Sequence, residues 1–110
     1  MTTTYGIILQ YEATNSLVDA LTVPTDTTYI VSTIFMCNFS ASPATLIIKV
    51  AKNGVADTDA HYLYATVTLD PYETKESTSG LTLSASDVVR IQSSANNAIS
   101  VNLCGKTIYQ

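Results

Sequence analysis

His61 is the only histidine in the sequence, so any Ser–His–Asp relay would have to be built around it. Asp57 or Asp59 would orient the ring and one of the many serines would attack. A nucleophile of that kind is presented on a sharp turn, and the Gly-x-Ser-x-Gly segment that supplies the turn in hydrolases is absent. His61 therefore reads as a residue at the mouth of a strand, and no catalytic residue is assigned. Metal chemistry finds little more support. Cys37, His61 and Cys104 lack the short paired spacing, such as Cys-x-x-Cys, that closes a tetrahedral zinc site. Asp57-Thr58-Asp59 alternates carboxylates as a calcium loop does, but the later glycine and glutamate of such a loop are missing. With no glycine-rich phosphate loop in the sequence, no cofactor is expected.

Tyrosine is the residue type that remains: seven, against two phenylalanines and no tryptophan. Strand alternation predicts Tyr62 and Tyr64 on one face, with His61 beside them and Tyr72 just past the next turn. A tyrosine ring packs against apolar surface while its hydroxyl still finds a polar partner. Such a face suits a partly covered sheet, a protein contact or a glycan platform.

Charge narrows the partners. The basic residues Lys49, Lys52, Lys75, Arg90 and Lys106 do not cluster, and the formal net charge is −4. Nucleic-acid binding needs a stripe of phosphate-neutralising side chains, so no direct nucleic-acid contact is expected. No apolar run approaches the ~20 residues of a membrane helix, and the start Met1-Thr2-Thr3-Thr4-Tyr5 lacks the basic and apolar regions of a secretory signal. The expectation is a soluble protein made in a cytosol, with Cys37 and Cys104 reduced and buried as small core hydrophobes; a bridge between neighbouring strands is the alternative. Only 13% of residues are charged, where a soluble domain typically has about 25%. Either Ser, Thr and Asn cover the solvent face, or much of the outer surface is buried against other proteins.

The elements that must position these residues are strands throughout. Apolar or alternating runs begin at Ile7, Leu17, Tyr29, Ala44, His61, Tyr72, Leu81, Asp87 and Ala98. Turn residues separate them, including Pro24, Asp26, Asn53-Gly54, Asp70-Pro71, Gly80 and Asn96-Asn97. Roughly eight strands with regular turns predict an antiparallel β-sandwich of jelly-roll type with almost no helix. The predicted core is Val31, Phe35, Ile48, Leu63, Val67, Val89, Ile91, Val101 and Leu103. In Tyr29–Phe39 both faces are apolar: Tyr29, Val31, Phe35, Cys37 and Phe39 on one, Ile30, Ile34 and Met36 on the other. A half-buried strand is polar on one side, so this one must be covered on both, by another layer of its own fold or by another chain. Ile30, Ile34 and Met36, together with Tyr62, Tyr64 and Tyr72, are therefore the candidate interface residues.

Several segments resemble a group of small tailed-phage structural proteins. They are Leu21-Thr-Val-Pro24, Thr27-Thr-Tyr-Ile-Val-Ser-Thr-Ile34 with Cys37-Asn38, His61-Tyr-Leu-Tyr64, Gly80-Leu-Thr-Leu-Ser-Ala-Ser-Asp-Val-Val89, and Ile99-Ser-Val-Asn102. The resemblance runs from Leu17 onward. It implies a β-sandwich without enzymatic activity, present in several copies on a virion as a capsid decoration protein or as an accessory of tail, neck or fibre. Its partners would be other capsid or tail proteins; if another chain covers the two-sided apolar strand, the expected homo-oligomer is a trimer. The alternative in the same setting is a receptor- or glycan-binding module of a tail or fibre. Residues 1–16 depart most from the pattern and are read as an N-terminal strand and docking arm; residues 17–110 are read as one β-sandwich domain.

Overall fold

β-Branched and aromatic runs form strands because their side chains pack well on a pleated surface, and the turn residues set where each run stops. A computed structural model describes residues 2–78 and 80–110. Its strands are β1 (Thr2–Glu12), β2 (Val18–Thr22), β3 (Thr27–Asn38), β4 (Ala44–Ala51), β5 (Tyr62–Leu69), β6 (Thr74–Ser77), β7 (Leu81–Leu83), β8 (Val88–Ser93) and β9 (Ile99–Tyr109). The helical content of the described residues is two single 3₁₀ turns, Lys52–Gly54 and Asp59–His61. Asn53 in the first of these takes φ +58, as an Asn-Gly turn requires.

Two antiparallel sheets result. One runs β1-β9-β3-β6, with β7 also paired to β3, and the other runs β2-β8-β4-β5. The pairing is nested: β1 with β9, β2 with β8, β3 with β6 and β7, β4 with β5. That nesting is what a long antiparallel hairpin gives when it is rolled up, so the predicted jelly roll is the observed fold. β6 and β7 share the work of one strand, pairing with Ile34–Cys37 and Tyr29–Val31 of β3 respectively.

Between the sheets lie Val31, Ile34, Met36, Leu46, Ile48, Leu69, Leu83, Val89, Ile91, Ile99, Val101 and Leu103, all buried. Each large apolar side chain contributes about 1.5–3 kcal/mol when fully buried. Six of the nine predicted core residues are here (Val31, Ile48, Val89, Ile91, Val101, Leu103). Val67 is half-buried and packs against the core, but Phe35 and Leu63 are exposed at 36% and 38%. Ile34 and Met36, predicted for an interface, are 5% and 3% exposed and belong to the core.

A β-bulge explains the exchange. β3 pairs with β9 in register through Val31↔Gly105, then shifts, resuming at Thr33↔Cys104. The extra residue, Ser32, reverses the alternation, because side chains switch faces with every residue. Tyr29 and Val31 point inward before the bulge; Ile34, Met36 and Asn38 point inward after it. Both faces of this strand are apolar in sequence because each supplies the core over half its length. The Ser32 hydroxyl donates to the carbonyl of Cys104 across the bulge. Gly105 makes the close approach possible: a Cβ there would sit 2.0 Å from the Ile30 carbonyl oxygen and 2.9 Å from the Ser32 nitrogen. A second bulge falls on the other flank of β9, where β1 shifts between Ile7↔Cys104 and Leu9↔Leu103.

β5 departs from simple alternation for the same reason. Its register against β4 shifts twice, between Leu46/Ile48 and between Ile48/Lys49. Tyr64 consequently pairs with the buried Ile48, while Tyr62 pairs with Lys49. At one end of the sandwich the fully buried Asn38 joins two loops, β3–β4 and β5–β6. Its Nδ2 donates to the carbonyls of Ser42, Leu69 and Asp70, and its Oδ1 accepts from the backbone and hydroxyl of Ser40. A buried amide is tolerated because its hydrogen-bonding capacity is used.

Candidate functional site

The outer surface of the β1-β9-β3-β6 sheet follows from register, since directly opposed residues share a face. Leu103, Val101 and Ile99 of β9 point into the core, so Ser100, Asn102, Cys104, Lys106 and Ile108 point out. Their partners complete rows across the sheet: Tyr5–Lys106–Ile30–Thr82, Ile7–Cys104–Thr33, Gln10–Asn102–Phe35–Glu76 and Glu12–Ser100–Cys37–Thr74. Tyr5 is 79% exposed, Ile7 60% and Phe35 36%. The charges in these rows are Lys106 at one end and Glu12 and Glu76 at the other. Lys106 lies over the Tyr5 ring, 5.7 Å from its centroid. The remaining polar groups are uncharged side chains that cost little to desolvate when they find hydrogen bonds. This is the composition of a contact surface: aromatic and aliphatic anchors, few charges, a polar margin.

Both cysteines open onto this face. Cys37 and Cys104 are half-buried and free, which corrects the expectation that they are core hydrophobes. Cys104 opposes Thr33 and Cys37 opposes Ser100, placing them in different rows.

The outer surface of the β2-β8-β4-β5 sheet is different in kind. Lys49, 4% exposed, donates to Asp57 Oδ1 at 2.8 Å and stacks over Tyr62 at 4.1 Å from the ring centroid. Arg90 reaches Asp19 at 2.8 Å and donates to the Val55 carbonyl. These contacts tie the loop carrying Asp57 to the sheet. The hydrogen bond between them holds the Asp57 carboxyl below its ordinary range and the Lys49 ammonium above its own. Arg90 Nη1 and His61 Nδ1 are buried here without a hydrogen-bond partner. Among the described residues no group of three or more His, Cys, Asp or Glu side chains converges as a metal site would require.

The predicted interface residues are thus dispersed. Ile30 stands on the outer face of the first sheet; Ile34 and Met36 are inside. Tyr62 lies against Lys49 on the far side of the molecule. Tyr64 turns inward, packs on the core and donates its hydroxyl to Ser77, so the expected shared face of Tyr62 and Tyr64 does not exist. Beside it a cavity of about 20 Å³, lined in part by Val31, Ile34, Leu63 and Tyr64, has room for about one water. Tyr72 protrudes, 70% exposed, from the turn after β5 with φ +59. Sequence reasoning missed Tyr5 and Ile7. Their signal was available as strand alternation in Tyr5-Gly-Ile7, but which side of β1 meets the core depends on pairing with β9.

No protein-family model matches the sequence, and no curated protein matches it significantly. Solved structures do. A chain in the acid-stable capsid structure of Helicobacter pylori bacteriophage KHP30 superposes with a TM-score of 0.58 at 11% identity, over 98% of this chain and 89% of that one. A pentameric capsid protein from metagenomic phage sequences aligns with a TM-score of 0.34 at 14% identity, over 92% of this chain and 60% of its own. The likeness to the KHP30 chain is one of fold over nearly the whole of both molecules: this chain shares its β-sandwich with a component of a bacteriophage capsid structure.

Proposed function

We propose that this chain is a non-enzymatic structural component of a tailed-phage virion. It is built into the exterior of the capsid or tail by protein contacts, one of them made through the outer face of the β1-β9-β3-β6 sheet. The observation that carries the reading is the face itself: Tyr5, Ile7 and Phe35 stand exposed on a sheet with charge only at its two ends. Exposed apolar side chains gathered on one surface mark interaction sites, and the fold shared with a chain of a phage capsid structure supports a virion as the setting. β1 takes part as an edge strand, so the N-terminal segment contributes to docking through Tyr5 and Ile7. The alternative is a receptor- or glycan-binding module of a tail or fibre; Tyr62 and Tyr64 lie on opposite sides of β5, so its ligand would have to be met by Tyr62 or Tyr72 without Tyr64.

The test is association. Gradient-purified particles should contain the chain by mass spectrometry. Substituting Ile7→Asp and Phe35→Asp should remove it from particles while the isolated domain keeps its β-sheet circular dichroism. A folded double variant that still co-purifies in wild-type amount overturns the assignment of the face.

A further inference from the structure

The charges at the two ends of this face are complementary, and that bears on what covers it. Lys106 sits in the row with Tyr5 and Ile30. Glu12 lies in the row with Ser100 and Cys37, six residues away along β9, or roughly 20 Å at about 3.3 Å per residue. Among the described residues, neither belongs to the intrachain ion pairs, which are Lys49–Asp57 and Arg90–Asp19. We propose that the occupant of this face is a second copy of the chain, stacked sheet on sheet about a two-fold axis that runs across the strands near Leu103 and Cys104. The proposal rests on the reading of this face as a contact surface and names its partner.

A two-fold axis in that direction reverses the strands, so the Lys106 end of one copy lies over the Glu12 end of the other, twice per dimer. β1 neighbours β9 at about 4.8 Å, within the reach of a lysine side chain across sheets stacked about 10 Å apart. The apolar middle, Ile7 and Phe35, then packs against the same middle rows of the other copy, as an isologous interface requires. A face four strands wide and about 30 Å long offers roughly 600 Å² per copy, which gives a total above the ~1,000 Å² expected of a specific interface. An axis along the strands would instead bring the two Lys106 ends together and the two Glu12 ends together, leaving like charges near one another.

Cys104 reports the geometry, because it stands within about one residue of the axis while Cys37 stands far from it. Sedimentation of the purified chain should show a dimer. A short bis-maleimide should link its two copies through Cys104, a product lost in Cys104→Ser and kept in Cys37→Ser. Lys106→Glu should raise the dissociation constant about tenfold or more, and Lys106→Glu combined with Glu12→Lys should restore it. A dimer joined through Cys37, or one indifferent to Lys106→Glu, overturns this arrangement. A monomer whose Cys104 becomes protected from alkylation only on particles overturns the second copy but leaves the contact surface standing. A monomer whose Cys104 reacts equally fast free and with particles overturns both.

Discussion

The bulge at Ser32 makes a sharp demand on two neighbouring residues. If it reverses the alternation of β3, Ile34 is a core residue and Phe35 is not, although the phenylalanine is larger and more hydrophobic. Ile34 is 5% exposed, and Phe35 is 36% exposed on the outer face. Truncating a buried isoleucine to alanine costs about 2–5 kcal/mol, from lost transfer energy and the cavity left behind. Ile34→Ala should therefore lower stability by about 3 kcal/mol. At about 4–8 °C per kcal/mol for a domain near this size, the melting temperature should fall by roughly 12–24 °C. Phe35→Ala opens no enclosed cavity, and its cost should stay below about 1 kcal/mol. Urea titration followed by far-UV circular dichroism measures both, with an unchanged slope showing that the unfolded states are comparable. An uninterrupted strand predicts the reverse order. If Phe35→Ala proves the more destabilising of the pair, the bulge and the assignment of the outer face are both wrong.

Gly105→Ala should cost about 3 kcal/mol or more, since the added Cβ meets backbone atoms, which cannot swing aside as a side chain can. Gly80→Ala, in open space but at φ +81, should lose only about 1 kcal/mol; thermal melts that rank the two in the opposite order would refute the close approach. The Asp57 carboxyl, held below its ordinary 3.8 by the hydrogen bond from Lys49, contributes stability that is present above the unfolded value and lost as pH falls through the folded one. Lys49, raised by the same bond, contributes below its unfolded value and loses this as pH rises through its folded one. In a pH series of denaturant melts, Asp57→Asn should flatten the acid limb and converge with wild type at low pH; curves that stay parallel across the acid range would show that the pair is not linked to folding.

Much of the fold is written in local chemistry. Asp70-Pro71, Asn53-Gly54 and Asn96-Asn97 each end a strand, because they favour conformations a ladder does not accommodate. The strands themselves announce their composition, and regular spacing with no helical period leaves a sandwich or barrel. What the sequence conceals is parity. A bulge adds one residue and leaves no compositional mark in Val31-Ser-Thr33 or in Leu63-Tyr-Ala65, yet it transfers every later side chain to the other face. Ile34, Met36 and Tyr64 therefore moved inward, and Phe35 and Leu63 moved out. The apolar character of both sides of Tyr29–Phe39 was a correct observation with two explanations, cover by another chain or a switch of faces, and periodicity alone does not separate them. The glycine at 105 is the one residue that encodes the switch, and its meaning depends on β9 lying beside β3, a contact between segments more than seventy residues apart.

A chain built into a particle through the outer face of the β1-β9-β3-β6 sheet has that face covered in the particle. A reconstruction of the phage particle, at a resolution that separates the two sheets of a sandwich, tests it most directly. Jelly-roll density is expected on the exterior of capsid or tail, with Tyr5, Ile7 and Phe35 covered by protein and the Lys49–Asp57 side facing elsewhere. Density that leaves this face open to solvent, or particles that contain no such subunit, would contradict it.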